Sequence, residues 1–590
     1  MTNYYKAPID ELMFVLDAFG YDELAKMPAY EAFDRETVQA LIESSATVFD
    51  EVLAPLNKKG DEEGLKWDPE TKDVILPDGF REAYKTLVDE GMISITGPAE
   101  YDGGGAPEMV RAALGEIMAA ANKSFSMAPG LTRDLVSSLM EHGSEEQKDF
   151  YVPKLVSGEW SGTMCLTEPQ CGTDLGLVTT KAEPQEDGSY KLTGTKIWIT
   201  FGEHNLTENI IHLVLARLPD APDGIKGIST FLVPKVVDGD RNPIFCTGLE
   251  HKMGIHASPT CVMSLEGATG YMVGEAHKGM RVMFTMMNEA RLYVGSEGIA
   301  LGEAAYQTAL AFVNDRRQSR SLNPARRDKD AKADNILVHP DVRRMLLNVK
   351  STTEALRGLG SWISYLLDFS RATDDEERRE EAEDLIALLT PIIKSYGTER
   401  GVENVSEALQ VCGGSGFTTD WNIEQYYRDL RISMIYEGTN HIQALDLVGR
   451  KLPMKGGKLL QTFSKEVTAT LTEAAKDDRV KHLVGPVQAA AEKLTKTTMS
   501  LSGSAMQNPE VVGAVASPYL NMFALVTLGY IWVRMVKYAY DREHPRADTK
   551  AKTAHYFMTK VLPEIHTLEA VIDGGLGNIM EFSEEEFATA

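Results

Sequence analysis

Cysteine is scarce in this 590-residue chain: five residues (Cys165, Cys171, Cys246, Cys261 and Cys412), odd in number and without a CxxC pair. That excludes a disulfide framework, points to reduced thiols in a cytoplasm, and leaves no metal-ligand spacing. Basic residues are outnumbered 60 to 87, giving a net charge of −27, a balance that repels phosphate backbones and anionic lipid and makes nucleic acid a poor partner. Long apolar runs are missing as well. The longest, Met522 to Val533, is closed by Arg534; it falls short of the ~20 residues of a membrane-spanning helix and reads as a buried core helix. The opening MTNYYKAPIDELMFVLDAF carries one lysine, an early proline and acids inside its apolar run, unlike the charged-then-apolar order of a signal peptide. No GxGxxG follows a strand, and GxxxxGKS/T, HExxH and GxSxG are all absent, which removes the common nucleotide, metal and serine-nucleophile fingerprints. A dinucleotide, if one is used, needs arginines and glycine-rich backbone rather than a Rossmann crossover.

The length corresponds to about four domain-sized units, and the 43% apolar content supports compact cores without staples. Four segments follow from the periodicity. Residues 1–160 recur apolar at helical spacing (Val38, Leu41, Ile42; Met109, Ala112, Ala113, Ile117). Residues 161–283 switch to strands, LTGTKIWIT, IIHLVLARL, GISTFLVPK, NPIFCTGL and TCVMSLEG, separated by turn residues. Residues 284–452 return to helix, broken by the basic stretch Asp315 to Asp334 and by the acidic run Asp374 to Asp384, which reads as a solvated helix face or loop. After a linker at residues 453–458, a last helical block runs to residue 590. The expected class is mostly α with an inserted, barrel-like β domain and a helical C-terminal extension.

Three constellations carry chemistry. The first is Met164 to Asp174 (MCLTEPQCGTD) with Lys196 to Thr200 (KIWIT); together they supply backbone amides, hydroxyls and an aromatic wall, the requirements of a flat redox ring. The second is QVCGGSGF, Gln410 to Phe417, with Arg316-Arg317-Gln318-Ser319 upstream. Glycines allow close backbone approach to a pyrophosphate and an arginine fork can pair with it, although a helix C-cap and a solvated loop explain either piece alone. The third is Ile435-Tyr436-Glu437-Gly438-Thr439-Asn440-His441, where Asn440 with Gln443 is expected to cap the helix that follows and Glu437 stands just before its N-terminus.

The order LTEPxCGTD, KIWIT, RRxS, QxCGGSGF, YEGTN resembles the acyl-CoA dehydrogenase family. The opening YKAPIDELMFVLDAF and the length beyond Leu452 are similar to a long subgroup that includes 3-methylmercaptopropionyl-CoA dehydrogenases of dimethylsulfoniopropionate breakdown in marine bacteria. The resemblance implies FAD as cofactor, a homo-oligomer of at least two chains, and electron-transfer flavoprotein as electron acceptor. Leu166 and Thr167 would bond the flavin pyrimidine edge, with Gly172 and Thr173 at its thioester end and Trp198, Ile199 and Thr200 flanking the ring. Arg317 and Ser319 would meet the FAD phosphates, and Gln410, Gly413 and Gly414 the FAD of a neighbouring subunit. Thr439, Asn440 and His441 would face the cofactor with the positive end of their helix. Thr173, Asn288, Arg291, Tyr436 and Gly438 would border the acyl-CoA. Asn288 and Ala290 depart from the aspartate and threonine of common members.

Some members carry the catalytic glutamate immediately before the arginine, where this chain has Ala290. Glu289 lies about 100° around the helix and is expected to point elsewhere, which leaves Glu437 as the base. The implied reaction is removal of the α-proton of an acyl-CoA thioester by Glu437 with hydride passing from the β-carbon to FAD, giving a trans-2-enoyl-CoA. The rival readings are a general short-to-long-chain acyl-CoA dehydrogenase, an acyl-CoA oxidase, and an inactive acyl-CoA-binding scaffold.

Overall fold

The computed structural model describes residues 4–588. The helices used below are α1 (Ile9–Ala18), α2 (Glu108–Ala121), α3 (Lys123–His142), α4 (Glu145–Val156), α5 (Gly279–Asp315), α6 (Pro340–Ala372), α7 (Glu376–Val411), α8 (Asn440–Asp446), α9 (Lys458–Ala474), α10 (Lys481–Gln507), α11 (Glu510–Asp541) and α12 (Ala547–Tyr556). The chain forms two compact units, one of residues 40–293 and one of residues up to Gln39 together with those from Val294 onward.

In the unit of residues 40–293, the β segments form a seven-stranded sheet of β1 (Trp160–Cys165), β2 (Lys181–Pro184), β3 (Tyr190–Thr200), β4 (Asn209–Arg217), β5 (Ile228–Pro234), β6 (Ile244–Leu249) and β7 (Thr260–Val273). Its path runs β6-β7-β3-β2-β4-β1, and β5 bonds both β7 and β4. The strands β7, β3, β2, β4 and β5 therefore close a ring, the barrel expected from the spacing of short strands and turns. Apolar residues alternate into its core, including Leu192, Ile199, Val214, Phe231, Ile244 and Leu265. A second core joins the outer face of the sheet to α3 and α4 through Leu135, Leu139, Val152, Leu155, Leu213 and Leu232. α4 starts with a full capping box between Ser144 and Gln147, which satisfies two otherwise orphaned N–H groups.

The other unit is helical. Its central element, α11, is long and apolar enough to cross a membrane by length and composition, yet its middle is core: Phe523 to Val533 is buried without a break, and Trp532 Nε1 donates to the Ser351 carbonyl of α6 at 3.1 Å. The 12-residue run seen in the sequence is thus the centre of a 32-residue helix, and the Arg534 that ends it stays compatible with burial by lying over the rings of Phe19 and Trp362.

Two arrangements differ from the sequence-based division. α1 was expected in the first helical domain, but it packs with the C-terminal helices: Phe14 stacks edge-on to Tyr538, and Lys550 of α12 pairs with Glu11 and with Glu354 of α6. Its sequence explains this, because Leu12 to Leu16 are all buried and need apolar partners on more than one side. The acidic run at the start of α7 is not only a solvated face. Glu380 and Asp384 bind Lys455, Glu380 also binds Lys458, and Glu381 binds Lys465, so the run fastens the linker and α9.

Candidate functional site

The residues singled out in the sequence fall into clusters within each unit. In the β-containing unit, the LTEP loop leaves the end of β1 and is strapped to β3. Lys196 Nζ donates to the Leu166 carbonyl at 3.0 Å and to Glu168 Oε1 at 2.8 Å, and the Ile197 N–H donates to the Thr167 carbonyl at 2.9 Å. Glu168 is itself saturated. Its two oxygens accept from the N–H and hydroxyl groups of Thr179 and Thr180 at 2.5 to 3.0 Å. Burial pushes its carboxyl up, but the Lys196 charge and these hydrogen bonds outweigh that and hold it at about 2. The two motifs that the sequence offered as separate walls are therefore one rigid piece, joined by a buried ion pair whose side chains are 0% and 1% exposed.

Immediately after Lys196 the ladder bulges. Cys261 pairs with Ile199 and Met263 with Lys196, so two residues of β3 oppose one of β7. Trp198 takes the left-handed conformation there, φ 58°, and the residue is 60% exposed. A bulge re-aims a side chain and increases twist; here it turns a large aromatic out of the barrel, where no packing need is served. Thr200 lies half-buried two residues on, while the Ile199 side chain belongs to the barrel core, leaving only its backbone for a ligand. Gly172 and Thr173 are exposed, and a Cβ at Gly172 would stand 3.6 Å from the Thr167 methyl. The set is thus an exposed ring, three threonine hydroxyls and main-chain groups on a stiff support.

Elsewhere in this unit, Glu289 is tied to α3 by the Ser137 hydroxyl at 2.9 Å, with Arg133 Nε at 3.9 Å. Arg291 is 8% exposed, with one guanidinium nitrogen 3.4 Å from Asn288 Oδ1.

In the helical unit, the Tyr436–Asn440 loop enters α8. Glu437 adopts φ 56° and Gly438 φ 80°. The first is strained for a residue with a Cβ, at a cost of about 1–3 kcal/mol, and such strain persists only where surroundings impose it. The expected capping arrangement is shifted by one residue. Thr439, not Asn440, is the N-cap, its hydroxyl accepting from the Ile442 N–H at 3.3 Å. Asn440 is instead held by α7: its amide donates to the Ser395 carbonyl at 3.1 Å, and its oxygen accepts from Lys394 Nζ at 3.1 Å and from the Thr398 hydroxyl at 3.2 Å. Gln443 does reach back, donating to the Glu437 carbonyl at 3.0 Å. Thr439→Ala is accordingly expected to cost about 1 kcal/mol, measured as a lowered unfolding midpoint; an unchanged midpoint would contradict a capping role for Thr439. His441 is exposed and meets the Ser517 hydroxyl of α11 at 3.0 Å.

Arg317 and Ser319 lie in the exposed loop after α5. Arg317 pairs with Asp328 at 3.0 Å, and Ser319 is left-handed, φ 60°. Gln410, Gly413 and Gly414 are exposed at the end of α7, and nothing lies within 4 Å of a Cβ added to either glycine. Beside them Phe417 is 83% exposed. Lys394 and Glu297, which anchor the Glu437 loop, carried no signal in the sequence, because both are reached only through contacts distant along the chain.

Comparison with known proteins matches the chain segment by segment to the acyl-CoA dehydrogenase N-terminal domain (residues 35–159), middle domain (163–268) and C-terminal domain (277–452), and to the "acetyl-CoA dehydrogenase C-terminal like" family (463–583). It is 42% identical over 534 residues to a 3-methylmercaptopropionyl-CoA dehydrogenase of Ruegeria pomeroyi, covering 89% of this chain and 90% of that one. It is 31% identical to a broad-specificity linear acyl-CoA dehydrogenase of Mycobacterium tuberculosis, covering the whole of both. Among solved structures, ACDH-11 of Caenorhabditis elegans in complex with C11-CoA superposes with a TM-score of 0.77 at 20% identity, covering 95% of this chain and 92% of that one. An acyl-CoA dehydrogenase of Bacillus anthracis complexed with FAD gives 0.76 at 22% identity, covering 95% and 91%.

Proposed function

The chain belongs to the acyl-CoA dehydrogenase family, and we propose that it oxidises 3-methylmercaptopropionyl-CoA to methylthioacryloyl-CoA in dimethylsulfoniopropionate catabolism, with Glu437 as the base. The family's cofactor is FAD, and the residues present fit it. Trp198 offers a broad apolar face turned out of the barrel, with threonine hydroxyls and the Leu166–Thr167 main chain beside it on a support that Lys196 and Glu168 keep fixed. Leu166, Thr167, Trp198 and Thr200 would hold the ring, Gly172 and Thr173 its substrate end, and Arg317 and Ser319 the phosphates. FAD, when bound, supplies the acceptor for the hydride that leaves the β-carbon.

The observation that carries the reading is the Glu437 backbone, a carboxylate-bearing residue held left-handed next to a glycine at the mouth of a helix. A base that must reach a weakly acidic carbon gains from such fixed placement. Glu437 takes the α-proton, and its own N–H is the chain's donor toward the thioester oxygen as charge gathers there. Arg291 and Asn288 border the acyl-CoA. Gln410, Gly413 and Gly414, exposed at the end of α7, would reach the FAD of a second chain, so assembly of at least two chains is part of the reading. Electron-transfer flavoprotein is the proposed acceptor and the cytoplasm the proposed compartment.

The substrate is tested by anaerobic flavin bleaching across a panel of acyl-CoA thioesters. The methylthio compound is expected to bleach fastest. A straight-chain thioester bleaching more rapidly, by tenfold or more, would replace it with a broad linear acyl-CoA specificity like that of the M. tuberculosis relative.

A further inference from the structure

The Glu437 loop is gripped on both flanks by buried charged side chains. On the N-terminal flank, Glu297 of α5 is 1% exposed and accepts the Tyr436 hydroxyl at 2.6 and 2.7 Å, with the Ser433 hydroxyl at 2.5 Å. On the C-terminal flank, Lys394 of α7 is 0% exposed and donates to the Gly438 carbonyl at 2.6 Å and to Asn440 Oδ1 at 3.1 Å. Gln443 completes the set through the Glu437 carbonyl. Burying an ammonium or a carboxylate costs several kcal/mol unless hydrogen bonds compensate. Packing of α5, α7 and α8 alone would be served as well by apolar residues. What these two charges hold is the Ser433 and Tyr436 hydroxyls before one strained residue and the Gly438 carbonyl after it.

We propose that Glu297 and Lys394 are positioning residues for the base: they hold residues 436 and 438 so that Glu437 keeps its left-handed backbone and its carboxylate keeps one aim. The inference rests on the reading of Glu437 as the base. Without either anchor, residue 437 can relax toward ordinary backbone angles, and the carboxylate loses its near-attack placement while the acyl-CoA contacts elsewhere stay intact.

The test uses the FAD-loaded full chain with Lys394→Met, Glu297→Gln and Glu437→Gln, alone and paired, read by stopped-flow flavin bleaching, by acyl-CoA titration and by thermal unfolding. Lys394→Met and Glu297→Gln are each expected to slow bleaching about 10- to 100-fold while the acyl-CoA dissociation constant moves less than about threefold. In the Glu437→Gln background neither is expected to slow it further, since a positioning residue has nothing left to position. Full-rate single variants, or slowing that multiplies with that of Glu437→Gln, would overturn the inference. If Lys394→Met does not fold, Tyr436→Phe removes one hydroxyl from the same grip, and a full-rate Tyr436→Phe would overturn it equally. Wild-type rates in Glu437→Gln alone would instead remove the base assignment, a separable outcome.

Discussion

Glu437→Gln is expected to keep its FAD and to lose about 10²- to 10⁴-fold in the rate at which acyl-CoA bleaches it. The change preserves volume and the hydrogen bonds to the main chain at residues 437 and 438, which come from Gln443 and Lys394 and not from the carboxylate. What it removes is the ability to accept a proton. The α-hydrogen of a thioester is a weak acid, so the loss falls on the chemical step and leaves acyl-CoA affinity close to that of the parent. FAD absorbance per protein and anaerobic stopped-flow bleaching separate the two quantities. The alternative carboxylate near the arginine, Glu289, is already engaged by Ser137 on α3, so Glu289→Gln is the matching control at that position.

The second large effect is on stability. Lys196→Met leaves the Glu168 carboxylate buried without the ammonium that balances it, a change expected to cost about 3–5 kcal/mol. The sign of the pH dependence follows from the carboxyl being lowered from 4.5 to about 2 in the folded chain. A depressed carboxyl contributes stability that is fully present above the unfolded value, near 4.5, and is lost as pH falls toward 2. In the variant the downward pull of Lys196 is gone while burial remains, so the carboxyl rises toward its unfolded value and this contribution, together with its loss on the acid side, shrinks. Unfolding midpoints measured from pH 3 to 7 should therefore start lower at neutral pH in Lys196→Met and fall less steeply on the acid side than in the parent. FAD retention should fall too, because the Leu166 carbonyl loses its tether to β3 at the same time. An unchanged acid limb would mean that the pair carries no stability.

The segments KIWIT and IIHLVLAR were legible as strands because β-branched and aromatic residues crowd short runs bounded by turn residues, and the switch to helical spacing after residue 283 located α5. The LTEP and YEGTN motifs pointed at the right loops. Their internal mechanics were less visible. Asn440 is the better cap than Thr439 by residue type, and only the position of α7, with Ser395 and Thr398 ready to bond the asparagine, decides for the threonine. The acidic run of α7 looked solvated because its partners Lys455, Lys458 and Lys465 lie about 70 to 85 residues further on. The placement of α1 against α12 joins residues more than 500 apart. A bulge at Trp198 leaves no mark in a sequence that simply continues its run of strand-type residues. Glu297 and Lys394 sit in helices whose spacing explains them as ordinary helix residues; their role exists only once three helices have met.

The most direct measurement is a single turnover under anaerobic conditions with 3-methylmercaptopropionyl-CoA, in which product enoyl-CoA and reduced flavin are counted together for the parent chain and for Glu437→Gln. One enoyl-CoA per flavin reduced in the parent, with both falling together in the variant, is the expected result. Flavin that stays oxidised in the parent with every thioester tried, or a variant that forms product at the parent's rate, would contradict it.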